Sequence, residues 1–290
     1  MSTKNIARHE FPLEGMEEAV ESLGRTMDWI LGELEDPNDT GRSNALAAAL
    51  ATAKAHSALD PTATKFPTWE AWITAMQIGS ALFDSATAAE GPVPCRVGIE
   101  GEVRNLPATG PRYYLHPGAW VTAFYLAVIC RENDRLERLA HVPVEFLRAS
   151  GAVVDEYIYD WVETLQNLWF GREETWDTLL TAVNGTAPEV TRVAEVELML
   201  KQLYPPLELL HRYLSRETDR FNAALDDALT WHHEYWTAEE DRSCSTEGLV
   251  ALGPLAIACM ARDADMPIKV ESDYLPKVLL EFGWIGEVDA

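Results

Sequence analysis

Most of this chain carries apolar residues at the spacing of an amphipathic helix, and this pattern limits the folds that it can adopt. The clearest example lies in Asp155–Phe170, where Tyr157, Trp161 and Leu165 recur at intervals of four. That spacing places them on one broad face of a helix. The opposite face carries a polar, mostly acidic stripe: Glu156, Asp160, Glu163 and Asn167. We expect a half-buried helix here and a second one over Thr218–Trp236, which repeats the pattern.

The same reasoning predicts helices along the rest of the chain. They are Leu13–Leu34, Ser43–Leu59, Thr68–Ala89, Pro117–Arg131, Asn133–Ala140, Pro143–Ala149, Glu173–Val183, Pro188–Tyr204, Pro206–Leu214, Gly248–Asp263 and Tyr274–Phe282. Because short connections join sequential helices, neighbours should pack antiparallel. We therefore predict an all-α fold, either an antiparallel helical bundle or stacked helical hairpins. Trp161, Trp169 and Trp231 lie on or near the apolar faces, so we expect them in the core.

One region departs from helical spacing. Val93–Leu106 alternates around glycines, which predicts a small hairpin, and Pro107–Pro117 adds three prolines without a clear period. We expect a loop or β-hairpin insertion near residues 93–117. The whole chain, residues 1–290, is predicted to form a single all-α domain, and any division would fall near Gly91–Pro117.

The apolar runs and the cysteines indicate a protein that stays in the cytoplasm. Residues 1–10 are charged, and no apolar region of a secretory signal follows them. The longest apolar runs, Ala119–Cys130 and Leu249–Ala261, fall short of the roughly 18 residues that a membrane span needs. The four cysteines form no metal-binding pattern, and Cys130 and Cys259 lie inside apolar runs, where buried and reduced thiols are common. We expect a cytoplasmic location and no membrane partner.

Acidic residues outnumber basic ones by two to one. The chain has 47 Asp and Glu against 23 Lys and Arg, a net charge of −24, and residues 155–241 alone carry 19 acidic against six basic side chains. An acidic helix face is usually only the solvated face, but this concentration favours capture of a basic protein and disfavours nucleic acid. The candidate partner-binding residues are Glu156, Asp160 and Glu163 on one helix, and Glu239, Glu240 and Asp241 at the end of another.

The run Trp231–Trp236 is the segment that most resembles part of an enzyme, since it contains His232, His233 and Glu234. Adjacent residues point about 100° apart on a helix, and no ligand stands at the i+4 spacing of a zinc protease motif. We therefore expect His232 to pack among aromatic rings, with His233 and Glu234 in solvent. Asp226-Asp227 resembles the aspartate motif of terpene synthases, which has carboxylates at i, i+1 and i+4, but here the i+4 position is Thr230. No nucleophile or nucleotide-binding motif occurs, so we expect no catalytic residue, metal or cofactor.

Six stretches of the chain carry a resemblance to a known family. They are Tyr113–Glu132 (YYLHPGAWVTAFYLAVICRE), Val142–Gly151 (VPVEFLRASG), Asp155–Trp169 (DEYIYDWVETLQNLW), Gln202–Leu214 (QLYPPLELLHRYL), Phe221–Asp241 (FNAALDDALTWHHEYWTAEED) and Val250–Leu280 (VALGPLAIACMARDADMPIKVESDYLPKVLL). They resemble the immunity protein 49 family of bacterial polymorphic toxin systems. The resemblance covers most of the chain after about Thr68, with residues 118–290 as its core. Since these are packing motifs, they identify a family without identifying a site.

The resemblance implies an all-α protein, encoded beside a toxin, that protects the producing cell by binding and neutralising that toxin. Such a protein needs no chemistry of its own. If the toxin is a nuclease, its surface must be basic, and an acidic inhibitor would complement it. Two alternatives stay open: an all-α scaffold or adaptor with several partners, and a metal-dependent enzyme with a site near Asp226–Glu234.

Overall fold

The computed structural model describes residues 4–36, 38–98 and 102–283, and helices dominate these residues, as the all-α prediction requires. Its contacts divide the chain into two compact units. One consists of residues 13–152 with 282–283, and the other of residues 4–12 with 153–281. The division falls after Ala152 rather than within Gly91–Pro117. That residues 1–290 fold as one cooperative domain stays a prediction.

Helices make up most of the described elements, and the strands are short. In chain order the elements are β1 (Lys4–Asn5), α1 (Met16–Glu33), α2 (Arg42–Leu59), α3 (Phe66–Thr87), β2 (Val93–Arg96), β3 (Val103–Leu106), α4 (Pro117–Ile129), α5 (Asn133–Ala140), α6 (Val144–Arg148), α7 (Tyr157–Trp169), α8 (Thr175–Gly185), α9 (Val196–Leu198), a π-helical turn (Met199–Leu203), α10 (Pro205–Leu214), α11 (Thr218–Thr237), α12 (Glu240–Ser243), a 3-10 turn (Thr246–Leu249), α13 (Leu252–Asp263), β4 (Val270–Glu271) and α14 (Lys277–Glu281). None of the described helices combines the length and the hydrophobicity that crossing a bilayer requires.

The unit of residues 13–152 is built around two buried tryptophans. The indole N–H of Trp72 donates to Ser57 Oγ at 3.2 Å, and that of Trp120 donates to the carbonyl oxygen of Leu139 at 2.9 Å. Both indoles are fully buried, so these bonds satisfy polar groups that water cannot reach. A Cβ on Gly79 would approach Ala123 Cβ to 3.0 Å, which shows how closely α3 packs on α4.

The predicted hairpin is present in this unit. Strand β2 pairs antiparallel with β3, with Val93 opposite Leu106 and Arg96 opposite Val103. The buried guanidinium of Arg135 donates to the carbonyl oxygen of Arg96 at 3.1 Å and to Ser80 Oγ on α3 at 2.6 Å. These bonds tie the hairpin to the helices behind it.

The other unit packs α7, α8, α10, α11 and α13 around a core of aliphatic and aromatic side chains. Helix α7 buries Trp161, Val162 and Leu165, the face that the apolar spacing predicts. The amino-terminal strand β1 pairs in parallel with β4, with Lys4 opposite Val270. Two separate stretches of chain therefore complete this unit.

Three sequence predictions are wrong in this unit, each for a local reason. The predicted helix Pro188–Tyr204 begins only at Val196, because the N–H groups of Arg192, Val193 and Ala194 donate to the carboxylate of Asp155 instead of to helical carbonyl groups. Asn167 is buried rather than solvated, and its Oδ1 accepts a 3.2 Å hydrogen bond from Arg172. The predicted helix Gly248–Asp263 is divided into the 3-10 turn and α13.

Two further predictions change in extent. Trp161 is in the core as predicted, whereas Trp169 and Trp231 are only half-buried. The predicted helix Tyr274–Phe282 is reduced to α14, Lys277–Glu281.

Candidate functional site

The first group of predicted partner-binding residues lies on the exposed side of α7. Glu156 and Glu163 are exposed, and Asp160 is half-buried. They stand opposite Trp161 and Leu165, whose burial fixes the rotation of the helix. Because the core holds α7 in this orientation, the carboxylates of Glu156 and Glu163 are directed away from it.

The second group lies where α11 gives way to α12. Glu239, Glu240 and Asp241 are all exposed. Arg242 follows them and pairs with Glu239 at 3.4 Å, and its guanidinium lies 4.3 Å from the centre of the Tyr235 ring. Stacking of this kind holds the arginine, and with it the acidic turn, in one place.

Arg242 also binds the segment that precedes α10. Its Nη1 donates to Glu197 Oε2 at 3.0 Å, and Lys201 Nζ lies 3.3 Å from Glu197 Oε1 and 3.2 Å from Glu234 Oε2. Hydrogen bonds from Arg242 and then Lys201 lower the pKa of Glu197 below its ordinary value. Sequence patterns do not predict this network, since the paired residues lie on different elements and leave no periodic spacing.

Asp155 binds the same segment from the other side. Its carboxylate accepts hydrogen bonds from the backbone N–H groups of Arg192, Val193 and Ala194 at 2.5, 3.0 and 2.8 Å. Burial alone would raise the pKa of Asp155, but the bonds from Ala194, Arg192 and Val193 outweigh it and lower the pKa. Segment 192–197 is therefore joined to both groups of predicted residues, since Asp155 precedes Glu156 and Arg242 follows Asp241.

The histidines of Trp231–Trp236 have structural partners. His232 is buried among aromatic rings, as predicted, with its ring centre 4.8 Å from that of Tyr274. Its Nδ1 lies 2.9 Å from Gln202 Oε1 and its Nε2 lies 2.9 Å from the carbonyl oxygen of Gly248. Glu234 is exposed and His233 half-buried. Within residues 4–36, 38–98 and 102–283, no group of three or more His, Cys, Asp or Glu side chains is placed to hold a metal ion.

Asp226, the other candidate metal ligand in this region, also has a structural partner. Its carboxylate pairs with Lys4 Nζ on β1. Asp227 beside it is exposed. The pairing of Asp226 is an ion pair of the kind that joins two elements of a fold.

A cleft of about 370 Å³ lies beside these residues, between α10 and α11. Tyr204 donates to Glu208 at 3.1 Å, and Glu208 in turn accepts from Arg212 at 2.7 Å. Burial, followed by the nearby Glu208, raises the pKa of Tyr204 to about 12. Arg212 also pairs with Glu217 at 2.9 Å, so these groups form a chain of ion pairs and hydrogen bonds at the wall of the cleft.

Comparison with known proteins gives one finding. A family model described as Immunity protein 49 matches residues 60–279, which include both groups of predicted residues, the segment between them and the histidine cluster. No curated protein and no solved structure matches the chain.

Proposed function

The chain belongs to the immunity protein 49 family, and on that premise we propose that it binds a toxin domain directly and holds it inactive in the cell that makes both. The family match over residues 60–279 is the observation that carries this proposal. Binding alone would suffice, so the protein would need no catalytic residue, metal or cofactor.

We further propose that the toxin presents a basic surface, as a nuclease does. The net charge of −24, with 19 acidic against six basic side chains in residues 155–241, supports this. Glu163, Glu240 and Asp241 are exposed, and no ion pair is found for them among the described residues. Carboxylates of this kind steer a basic partner and raise its association rate, and they repel nucleic acid.

The proposal places the protein in the cytoplasm, where it would meet the toxin before export or after entry. No disulfide joins the four cysteines, all of which lie within the described residues, and Cys95, Cys130 and Cys259 are buried. Reduced thiols are the normal state in that compartment.

Co-expression tests the proposal. The toxin domain encoded beside this gene should stop growth when expressed alone and permit it when this chain is present, and the two proteins should copurify in a fixed ratio. An unrelated toxin of the same activity, which the chain should not rescue, is the control. Rescue without a complex would contradict direct binding and favour an enzymatic role, while capture of several unrelated proteins would favour a scaffold.

A further inference from the structure

Four exposed apolar side chains are concentrated between α8 and α10. They are Val190, Val193, Val196 and Leu200, with 54%, 51%, 50% and 42% of their surface exposed, and we call them the apolar strip. Twelve large apolar residues are exposed among those described, so a third of them fall within these eleven positions. Single exposed apolar residues are ordinary, whereas several within one short segment indicate a contact surface.

The backbone of the strip is held firmly although its side chains are exposed. Asp155 accepts hydrogen bonds from the N–H groups of Arg192, Val193 and Ala194. The Arg192 guanidinium donates to the carbonyl oxygen of Glu189 at 2.8 Å. Met199, between Val196 and Leu200, is buried and anchors the far end. A surface fixed in this way loses little conformational entropy when a partner binds it.

A π-helical turn, Met199–Leu203, follows α9 and contains the last residue of the strip. Such turns are rare and occur often at functional sites. Lys201 within it pairs with Glu197 and Glu234, which fixes its orientation relative to α11.

Carboxylates outnumber basic side chains around the strip. Residues 189–201 include Glu189, Glu195 and Glu197 against Arg192 and Lys201, and of these carboxylates Glu197 is paired with Lys201 and Arg242. The hydrogen bonds of Asp155 and Arg242 connect the segment to the positions next in sequence to Glu156 and Asp241, which are exposed. An apolar centre within a charged rim is the usual organisation of a protein interface. The sign of the rim selects a partner with lysine and arginine around its own apolar centre.

We propose that the apolar strip is the centre of the toxin-binding surface, and that it receives apolar side chains of the toxin while the acidic rim meets basic ones. This inference rests on the proposed function and names the surface that performs it. A second copy of this chain is a poorer occupant, because a symmetric dimer would bring the same acidic rims together.

Paired substitutions test the proposal with matched controls. Val196→Lys with Leu200→Lys alters the strip, and Val103→Lys with Leu13→Lys adds the same charge at somewhat more exposed positions in the other unit. The probe is a catalytically inactive form of the adjacent-gene toxin domain, and binding kinetics are measured on the full chain. We expect dissociation to become about 100-fold faster for the strip variant and to change less than about threefold for the control.

A milder double variant, Val196→Ala with Leu200→Ala, distinguishes a loss of binding from a loss of folding. It should bind about tenfold more weakly while its thermal unfolding matches that of the parent protein. Parent-like toxin binding by both strip variants would overturn the inference and leave the proposed function intact. Loss of a dimer of this chain on the same substitutions, with toxin binding unchanged, would also overturn it. A parent protein that does not bind the toxin at all would instead refute the proposed function.

Discussion

Asp155 accepts a 2.8 Å hydrogen bond from the backbone N–H of Ala194, 39 residues further along the chain. Together with the bonds from Arg192 and Val193, it leaves three N–H groups dependent on one buried carboxylate. Removing that carboxylate leaves these three N–H donors without an acceptor at positions that are only partly accessible to water.

Asp155→Ala should therefore lower the free energy of unfolding by about 1–3 kcal/mol. Chemical denaturation at neutral pH measures the change. Glu163→Ala, which removes an exposed carboxylate from the same helical region, is the control and should change stability by less than about 0.5 kcal/mol. Equal losses in the two variants would show that the bonds to Asp155 do not hold the segment.

Reversal of exposed carboxylates should slow association with the toxin. For Glu163→Lys combined with Glu240→Lys and Asp241→Lys, we expect the association rate to fall about tenfold at about 50 mM salt. The difference in association rate between variant and parent should be smaller at about 500 mM, because salt screens exposed charges. The fold should be unaffected, since solvated charges contribute little to stability. Surface-immobilised kinetics provide the measurement.

The matched control for this test changes the net charge equally in the other unit. Glu14→Lys, Glu21→Lys and Asp28→Lys reverse three exposed carboxylates there. If this control slows association as much as the first variant, the total charge of the protein and not the local surface governs capture.

Trp161 should contribute far more to stability than Trp231. Trp161 lies on the buried face of α7 and is 2% exposed, so Trp161→Ala should lower the free energy of unfolding by about 3–5 kcal/mol. Trp231 is half-buried at the edge of a cleft, so Trp231→Ala should lower it by less. Urea unfolding of both variants makes the comparison. A Trp161→Ala protein that unfolds like the parent would contradict the packing of α7.

His9 should make the protein less stable as the pH falls. Burial, with smaller contributions from His233 and Arg8, lowers the pKa of His9 below 6.5, against an opposing hydrogen bond with the backbone of Ser243. Because the unfolded chain binds a proton at a higher pH than the folded one, stability is complete above pH 6.5 and decreases as the pH falls toward the folded pKa.

The variant His9→Gln isolates this effect from those of other histidines. Denaturation at pH 7.5 and 5.5 should show a smaller loss of stability for the variant than for the parent. An identical loss in both proteins would mean that His9 is protonated as easily in the folded state as in the unfolded chain.

Cys244 should report on the binding surface. It is exposed and follows Glu240–Ser243, whereas Cys95, Cys130 and Cys259 are buried, and burial raises the pKa of Cys95 to about 11. One thiol should therefore react rapidly with a maleimide in the native protein, and Cys244→Ser should abolish that reaction. Addition of the toxin domain should slow it, and an unchanged rate would place the interface away from α12.

The sequence predicted elements where apolar spacing dominates and failed where a distant side chain intervenes. The apolar period of α7 and α11 and the glycine-centred alternation at Val93–Leu106 correspond to observed elements. The bonds from Asp155 to Arg192, Val193 and Ala194 could not be predicted, because a side chain that binds a backbone 37–39 residues away leaves no periodic pattern.

The candidate site was predicted only in part. Of the six predicted residues, five are exposed and Asp160 is half-buried, as the helical rotation of α7 and the end of α11 suggest. The apolar strip was not predicted, because a helix was expected over the whole of Pro188–Tyr204. The residues before Val196 are not helical, and Val190 and Val193 among them are exposed.

The pairing of β1 with β4 has a consequence for synthesis on the ribosome. Lys4 and Asn5 are made before their partners Val270 and Glu271, which emerge 266 residues later. At the usual pace of about 5–20 residues per second, this interval lasts roughly 15–50 s, during which residues 13–152 of the other unit are made. Residues 13–152 are therefore made before β1 can pair with β4, and the unit that carries the apolar strip cannot complete its fold until Glu271 has emerged.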